Sequence, residues 1–126
     1  MISNQMTREI LDLGEHCDIA LVGIGGLTHS RILEYEYLTP EDREQILKSD
    51  VVGDIAFRFI NKEGEVSDID FNQRVVACDL SAIRNHARDV IAIAYGTEKA
   101  EVIKAVLKGG LLTTLFTDSD TAQLLL

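Results

Sequence analysis

Gly96 and Lys99 lie in a short turn between an apolar run and a helical pattern, a combination typical of an anion-binding site. Glycine lets the backbone approach a ligand closely, and the first turn of a helix presents amide hydrogens without intrahelical partners. Lys99 adds a positive charge where the helix dipole disfavours one, so an anion nearby would stabilise it. We interpret the turn as a candidate anion site, with a solvated surface lysine as the alternative.

A second candidate loop follows the first apolar run and contains Gly23, Gly25, Gly26, Ser30 and Arg31. Its glycines do not complete the GxGxxG pattern of dinucleotide-binding proteins, and a tight turn packed close to the sheet is the better explanation for them. The hydroxyl and the guanidinium that follow are polar enough to reach a ligand, or they are solvated. We include Gly25 and Ser30 among the candidate ligand-binding residues.

Metal and catalytic chemistry have little support in this sequence. Asp54, Asp68 and Asp70 carry carboxylates that suit Mg²⁺, but nothing fixes the three on one loop. The three histidines and two cysteines show neither CxxC nor HExxH spacing, and no Ser/His/Asp or Cys/His arrangement stands out. We therefore expect no metal, no cofactor and no catalytic residue.

Three short apolar runs must position these loops. They read as strands buried on both faces of a parallel sheet, and they cover residues 18–25, 89–95 and 111–116. Helical patterns alternate with them at residues 3–16, 39–48, 79–86 and 97–108, and Asp118 or Ser119 caps a last helix. Ligands collect at the carboxyl ends of parallel strands, so the candidate loops should meet at one edge.

Residues 51–78 interrupt this alternation with an antiparallel insert. We predict a strand at residues 54–60, a turn at 61–64, a returning strand at 65–68 and a further short strand at 74–77. The whole pattern predicts an α/β fold, in which a parallel, Rossmann-like sheet carries helices on both faces and an antiparallel hairpin insert.

Composition limits the functions that the chain can have. Its 126 residues fit one domain, and 12 basic against 21 acidic residues give a net charge of −9. Such a surface repels nucleic acid, so any contact with DNA requires another segment. No apolar run reaches the roughly 20 residues of a membrane span, and the amino terminus lacks a secretory pattern. We expect a cytoplasmic protein that does not contact membranes.

Six segments in register resemble the effector-binding domain of SorC/DeoR-type bacterial transcriptional regulators. The likeness runs from about residue 8 to the end of the chain. The segments are Asp18-Ile-Ala-Leu-Val-Gly-Ile-Gly, Tyr37-Leu-Thr, Val52-Gly-Asp-Ile, Arg58-Phe-x4-Gly64, Val90-Ile-Ala-Ile-Ala-Tyr-Gly-x2-Lys-Ala, and Leu107-Lys-Gly-Gly-Leu with Thr117-Asp118 beyond it.

The resemblance implies a fold like that of the sugar-phosphate isomerase and CoA-transferase superfamily. It also implies a phosphorylated sugar as effector and an attached helix-turn-helix domain whose DNA binding the effector modulates. Lys99 matches the ligand-contacting lysine of the family's Gly-Gly-x-x-Lys turn, Gly96 matches its second glycine, and Tyr95 replaces the first. Asp54 matches an acidic residue that hydrogen-bonds sugar hydroxyls.

The likeness covers only the carboxyl-terminal half of the family's sensor. The front half, with a glycine-threonine phosphate loop, and the DNA-binding domain have no counterpart here. We therefore expect residues 1–126 to form a partial effector-binding domain that is not an enzyme and that forms homo-oligomers.

Two other functions remain open. One is a sugar-phosphate isomerase-like enzyme with Asp54 as base, although no second acid–base partner is evident. The other is a phospho-acceptor receiver domain that uses Asp54 with Lys99 or Lys104. In a receiver, however, the acceptor aspartate closes an apolar strand, whereas Asp54 precedes its apolar run.

Overall fold

A computed structural model describes residues 4–28 and 30–126 of the chain. Ser3, in the expected first helix, and His29, in the glycine-rich loop, lie outside the described residues. A single 3₁₀ turn, Thr97–Lys99, leads into the sixth helix. The elements in chain order are α1 (Gln5–Glu15), β1 (Ile19–Val22), β2 (Ile24–Gly26), α2 (Arg31–Glu34), α3 (Pro40–Lys48), β3 (Val51–Ile55), β4 (Arg58–Asn61), α4 (Asp70–Arg74), α5 (Leu80–His86), β5 (Asp89–Ile93), α6 (Ala100–Lys108), β6 (Thr114–Phe116) and α7 (Ser119–Leu125).

The strands form two three-stranded sheets, one parallel and one antiparallel. The parallel sheet has the order β1-β5-β6 and the antiparallel sheet the order β2-β3-β4. This mixed α/β architecture confirms the predicted class, a parallel sheet with an antiparallel hairpin beside it. The apolar run predicted as one strand at residues 18–25 is two strands, because the chain leaves the parallel sheet at Gly23 and joins the antiparallel one.

Side chains of the parallel sheet alternate between a covered and an open face. Ala20, Val90 and Ala92 face the helices, where they pack with buried side chains of α5 and α6. Their neighbours Leu21 and Ile93 are exposed on the opposite face. Helices of the described chain therefore cover one face of this sheet, which differs from the expected burial of the strands on both faces.

The antiparallel sheet differs from the predicted insert in where its strands begin and end. Strands β3 and β4 are joined by a two-residue turn, Ala56-Phe57, in the middle of the segment predicted as a single strand. Both turn residues have positive φ, 48° and 66°. Hairpin turns of this kind usually contain Asn-Gly, so their sequence signal is missing here.

The predicted turn at residues 61–64 is present, but the returning strand is reduced to one bridge between Ile60 and Val66. The prediction of a strand at residues 74–77 is wrong, since Arg74 ends α4 and residues 75–77 belong to no strand. The physical reason is Asn72, whose side-chain amide accepts from the Phe59 N–H and donates to the Phe59 carbonyl, each at 2.9 Å. One side chain thus completes the hydrogen bonds that another strand would have made.

The predicted helix starts are confirmed where a capping side chain marks them. The Thr39 hydroxyl accepts from the Asp42 N–H and the Asp42 carboxylate accepts from the Thr39 N–H, each at 3.1 Å, which makes a capping box. Asp79 and Asp118 cap α5 and α7. None of the helices within residues 4–28 and 30–126 has the length and apolar character that crossing a membrane requires.

Candidate functional site

A cavity of about 450 Å³ lies between the glycine-rich strand β2, the β3–β4 turn and the 3₁₀ turn before α6. Its wall combines charged, hydroxyl and aromatic side chains with backbone from strand β2. These side chains belong to Thr28, Ser30, Arg31, Tyr35, Asp54, Phe57, Glu98 and Lys99. The antiparallel sheet contributes strand residues to the wall. The parallel sheet adjoins the cavity through the connections that leave it, at Gly23 after β1 and in the turn after β5 that carries Lys99.

Four of the five candidate site residues meet in this cavity: Gly25, Ser30, Asp54 and Lys99. Asp54 is the last residue but one of β3, and Gly25 is its partner on β2. Ser30 caps α2, where its hydroxyl accepts from the Leu33 N–H at 3.4 Å. The common wall means that Lys99 and Asp54 can contact one small ligand together.

Asp54 is the most unusual group of the site. Its side chain is buried, with 8% of the residue exposed, and no hydrogen bond from the described residues reaches its carboxylate. Burial raises the pKa of Asp54 to about 7, although the positive charge of Lys99 acts in the opposite direction. The carboxylate is largely desolvated and opens onto the cavity, so a ligand there that supplies hydroxyl donors would satisfy it.

Gly25 makes room for this carboxylate. A Cβ atom at residue 25 would lie 2.2 Å from the Asp54 Oδ1 atom, well inside van der Waals contact. At Gly26 the nearest side-chain atom, Cγ of Lys99, would lie at an ordinary 3.6 Å. The glycine at position 25 therefore sets where Asp54 can point, which is a packing role beside its place in the cavity wall.

Gly96 does not line the cavity, and its amide is already occupied. The Gly96 N–H donates to Asp118 Oδ2 and to Thr121 Oγ1, each at 3.0 Å. Hydrogen bonds from the Thr121 hydroxyl, the Thr121 N–H and the Gly96 N–H hold the pKa of Asp118 well below its usual range. Asp118 thus fills the place on this turn that an external anion was expected to take, and of the turn's candidate residues only Lys99 faces the cavity.

Sequence reasoning missed Tyr35, Phe57 and Glu98, all of which line the cavity. Glu98 adjoins the predicted lysine, so proximity to Lys99 was the available signal. Phe57 gave no such signal in the sequence, because an Ala-Phe dipeptide inside an apolar run does not indicate a turn.

The carboxylates of Asp68 and Asp70 lie outside the cavity wall. Across residues 4–28 and 30–126, no cluster of three or more histidine, cysteine or acidic side chains could hold a metal ion.

The model of a family of sugar-binding domains, Sugar-bind, matches residues 1–126. The chain belongs to this family. The transcriptional regulator LsrR of Enterobacter sp. (strain 638) is 32% identical over 123 residues, which cover 94% of this chain and 38% of LsrR.

Solved structures support the same assignment for this sugar-binding domain. A DeoR family transcriptional regulator from Listeria monocytogenes superposes with a TM-score of 0.90 at 32% identity, over 98% of this chain and 50% of that one. The full-length sorbitol operon regulator SorC from Klebsiella pneumoniae superposes with a TM-score of 0.87 at 29% identity, over 98% of this chain and 40% of that one. The resemblance to SorC/DeoR-type regulators is confirmed, and the chain spans half or less of these relatives' lengths.

Proposed function

We propose that the cavity binds a phosphorylated sugar and that this sugar is an effector. The observation that carries the proposal is the buried, unpartnered carboxylate of Asp54 in the same cavity as Lys99. Lys99 and Arg31 supply positive charge for the phosphate, and Asp54 accepts hydrogen bonds from sugar hydroxyls. Hydrogen bonds to charged groups contribute about 1.5–3 kcal/mol each, enough to give a small polar ligand measurable affinity.

The same proposal assigns the chain to effector sensing within a transcriptional regulator. LsrR, the deoxyribonucleoside regulator of Bacillus subtilis and the sorbitol operon regulator are all regulators by name. With a net charge of −9, this sugar-binding domain is unsuited to DNA, so a separate helix-turn-helix domain would contact the operator. Residues 1–126 are then part of the sensor, the regulator acts in the cytoplasm, and copies associate.

We propose a non-enzymatic role, in preference to both alternatives. A phospho-acceptor aspartate must be accessible at the end of a parallel strand, whereas Asp54 is buried in the antiparallel sheet. A pKa of about 7 would suit an isomerase base, but the hydrogen bonds that a bound sugar supplies explain the same carboxylate without turnover. Conversion of a sugar phosphate that is lost in Asp54→Asn would favour the enzyme.

Thermal denaturation with a panel of sugar phosphates and their unphosphorylated parents tests this function. A ligand at one hundred times its dissociation constant stabilises the folded protein by about 2.7 kcal/mol, a readily measured rise in Tm. Lys99→Ala should abolish the rise. Lys104→Ala is the matched control, because Lys104 is an exposed lysine of α6 that lies outside the cavity wall. Absence of any shift, or equal shifts with unphosphorylated sugars, would contradict the proposal.

A further inference from the structure

The turn between β3 and β4 holds a bulky residue in a conformation that favours glycine. Phe57 has φ +66° and follows Ala56 at φ +48°, so both central residues of the hairpin turn are left-handed. For a residue as large as phenylalanine this conformation is an outlier, and such outliers cluster at ligand sites. The unfavourable backbone conformation therefore points to a role for the Phe57 side chain.

Core packing does not provide that role. The residue is 54% exposed and belongs to none of the three buried clusters, although its neighbours Ala56 and Phe59 do. Phe57 instead lines the cavity, together with Asp54 and Lys99. The hairpin thus places Phe57 in the wall of the space where a ligand would bind.

We propose that Phe57 is a specificity-determining residue that packs against the C–H face of a sugar in its ring form. This inference rests on the proposed function and narrows its ligand class to cyclic sugar phosphates. A sugar ring has hydroxyls around its edge and a flat patch of C–H groups on its face. Asp54 accepts hydrogen bonds from edge hydroxyls, Lys99 pairs with the phosphate, and the phenyl ring packs on the face. The three groups therefore recognise different parts of one molecule.

A sugar-alcohol phosphate of the same length is an open chain. It offers the same phosphate, and one more free hydroxyl because none is consumed in closing a ring, but it has no flat C–H face. It should therefore lose the aromatic contact while it keeps the polar ones. Glucose 6-phosphate and sorbitol 6-phosphate form a matched pair of probes, since they have the same carbon number and the same phosphate position. Ribose 5-phosphate and ribitol 5-phosphate form a second pair.

The test is calorimetric titration of the wild-type chain and three variants with both probe pairs. In the wild type we expect the ring member of at least one pair to bind about three- to tenfold more tightly than its open-chain partner, the range of an aromatic contact. Phe57→Gly and Phe57→Ala should both lose this preference, and Phe57→Tyr should keep it. Phe116→Ala, which removes an exposed ring that does not line the cavity, should leave it unchanged.

Stability measurements separate a binding role from a turn role. Phe57→Gly relieves the left-handed strain, so we expect its Tm to rise while its ring preference disappears. Unchanged affinity and preference in Phe57→Gly, or an open-chain preference in the wild type, would overturn the inference and leave the proposed function standing. If no sugar phosphate of either pair binds the wild-type chain, both proposals fail.

Discussion

Asp54 shows how a single residue can be unfavourable for the fold and useful to the site. Its carboxylate is buried beside Gly25, receives no hydrogen bond from the described residues and shares its cavity with Lys99 and Glu98. A lysine nearby is insufficient to keep the pKa low, because desolvation outweighs its charge. Binding residues of this kind reduce the stability of the free protein.

The pH dependence of stability should reveal this cost. The pKa of Asp54 rises from 3.8 to about 7 on folding, so the folded state holds the proton more tightly. Its stabilising contribution is complete below pH 4 and is lost as the pH rises through 7. Since one pKa unit corresponds to about 1.4 kcal/mol, we expect the free energy of unfolding to fall by a few kcal/mol over this range.

Urea denaturation at pH 4.5, 5.5, 7 and 8.5 measures the effect, with the decline expected up to pH 7 and a plateau above it. Asp54→Asn should flatten the decline and make the protein more stable than the wild type at pH 8.5, while abolishing ligand binding. Asp68→Asn, at an exposed acid outside the cavity, should keep the wild-type slope. The same slope in Asp54→Asn would contradict the assigned cause.

At the scale of elements, features that depend on local chemistry could be predicted from sequence. The helix starts at Thr39, Asp79 and Asp118 follow from side chains that bond amides three residues ahead, and all three are present. The strand boundaries of the insert could not be predicted from sequence, because they depend on distant partners such as the Asn72 amide.

The candidate site likewise has residues that sequence could predict and a contact that it could not. Gly25, Ser30, Asp54 and Lys99 lie in or beside apolar runs and turns that sequence can recognise, and they share the cavity. The occupation of the Gly96 amide was hidden, because it requires α7 to bring Asp118 against a turn 22 residues earlier. Nothing local indicates such a contact.

Asp118 should therefore be more important for stability than an ordinary helix cap. It caps α7 through the Thr121 N–H at 2.9 Å and also accepts from the Gly96 N–H, which joins two loops. Asp79 makes only the cap of α5, to the Ala82 N–H at 2.8 Å. We expect Asp118→Ala to lower the urea midpoint more than Asp79→Ala and to speed hydrogen exchange at the Gly96 amide. Equal midpoints with unchanged exchange would show that the second contact contributes nothing.

Across residues 4–28 and 30–126, one face of the parallel sheet is left uncovered. Leu21, Ile93 and Phe116 are exposed there, and the register places their strands side by side. Parallel sheets are normally covered on both faces, and a contiguous apolar surface of this kind associates with other apolar surfaces. For the purified 126-residue chain, the available apolar partner is another copy of itself.

We therefore predict self-association through this face, measurable by sedimentation velocity over a range of protein concentrations. Because the chain carries a net charge of −9, repulsion between copies opposes association, and added salt should strengthen it by screening that repulsion. Leu21→Lys or Phe116→Lys should shift the chain toward monomer. Leu47→Lys is the matched control, because it replaces an equally exposed leucine on α3, away from the sheet, and should change nothing. A chain that stays monomeric at every concentration and salt, or dissociation by Leu47→Lys alone, would show that the open face does not drive assembly.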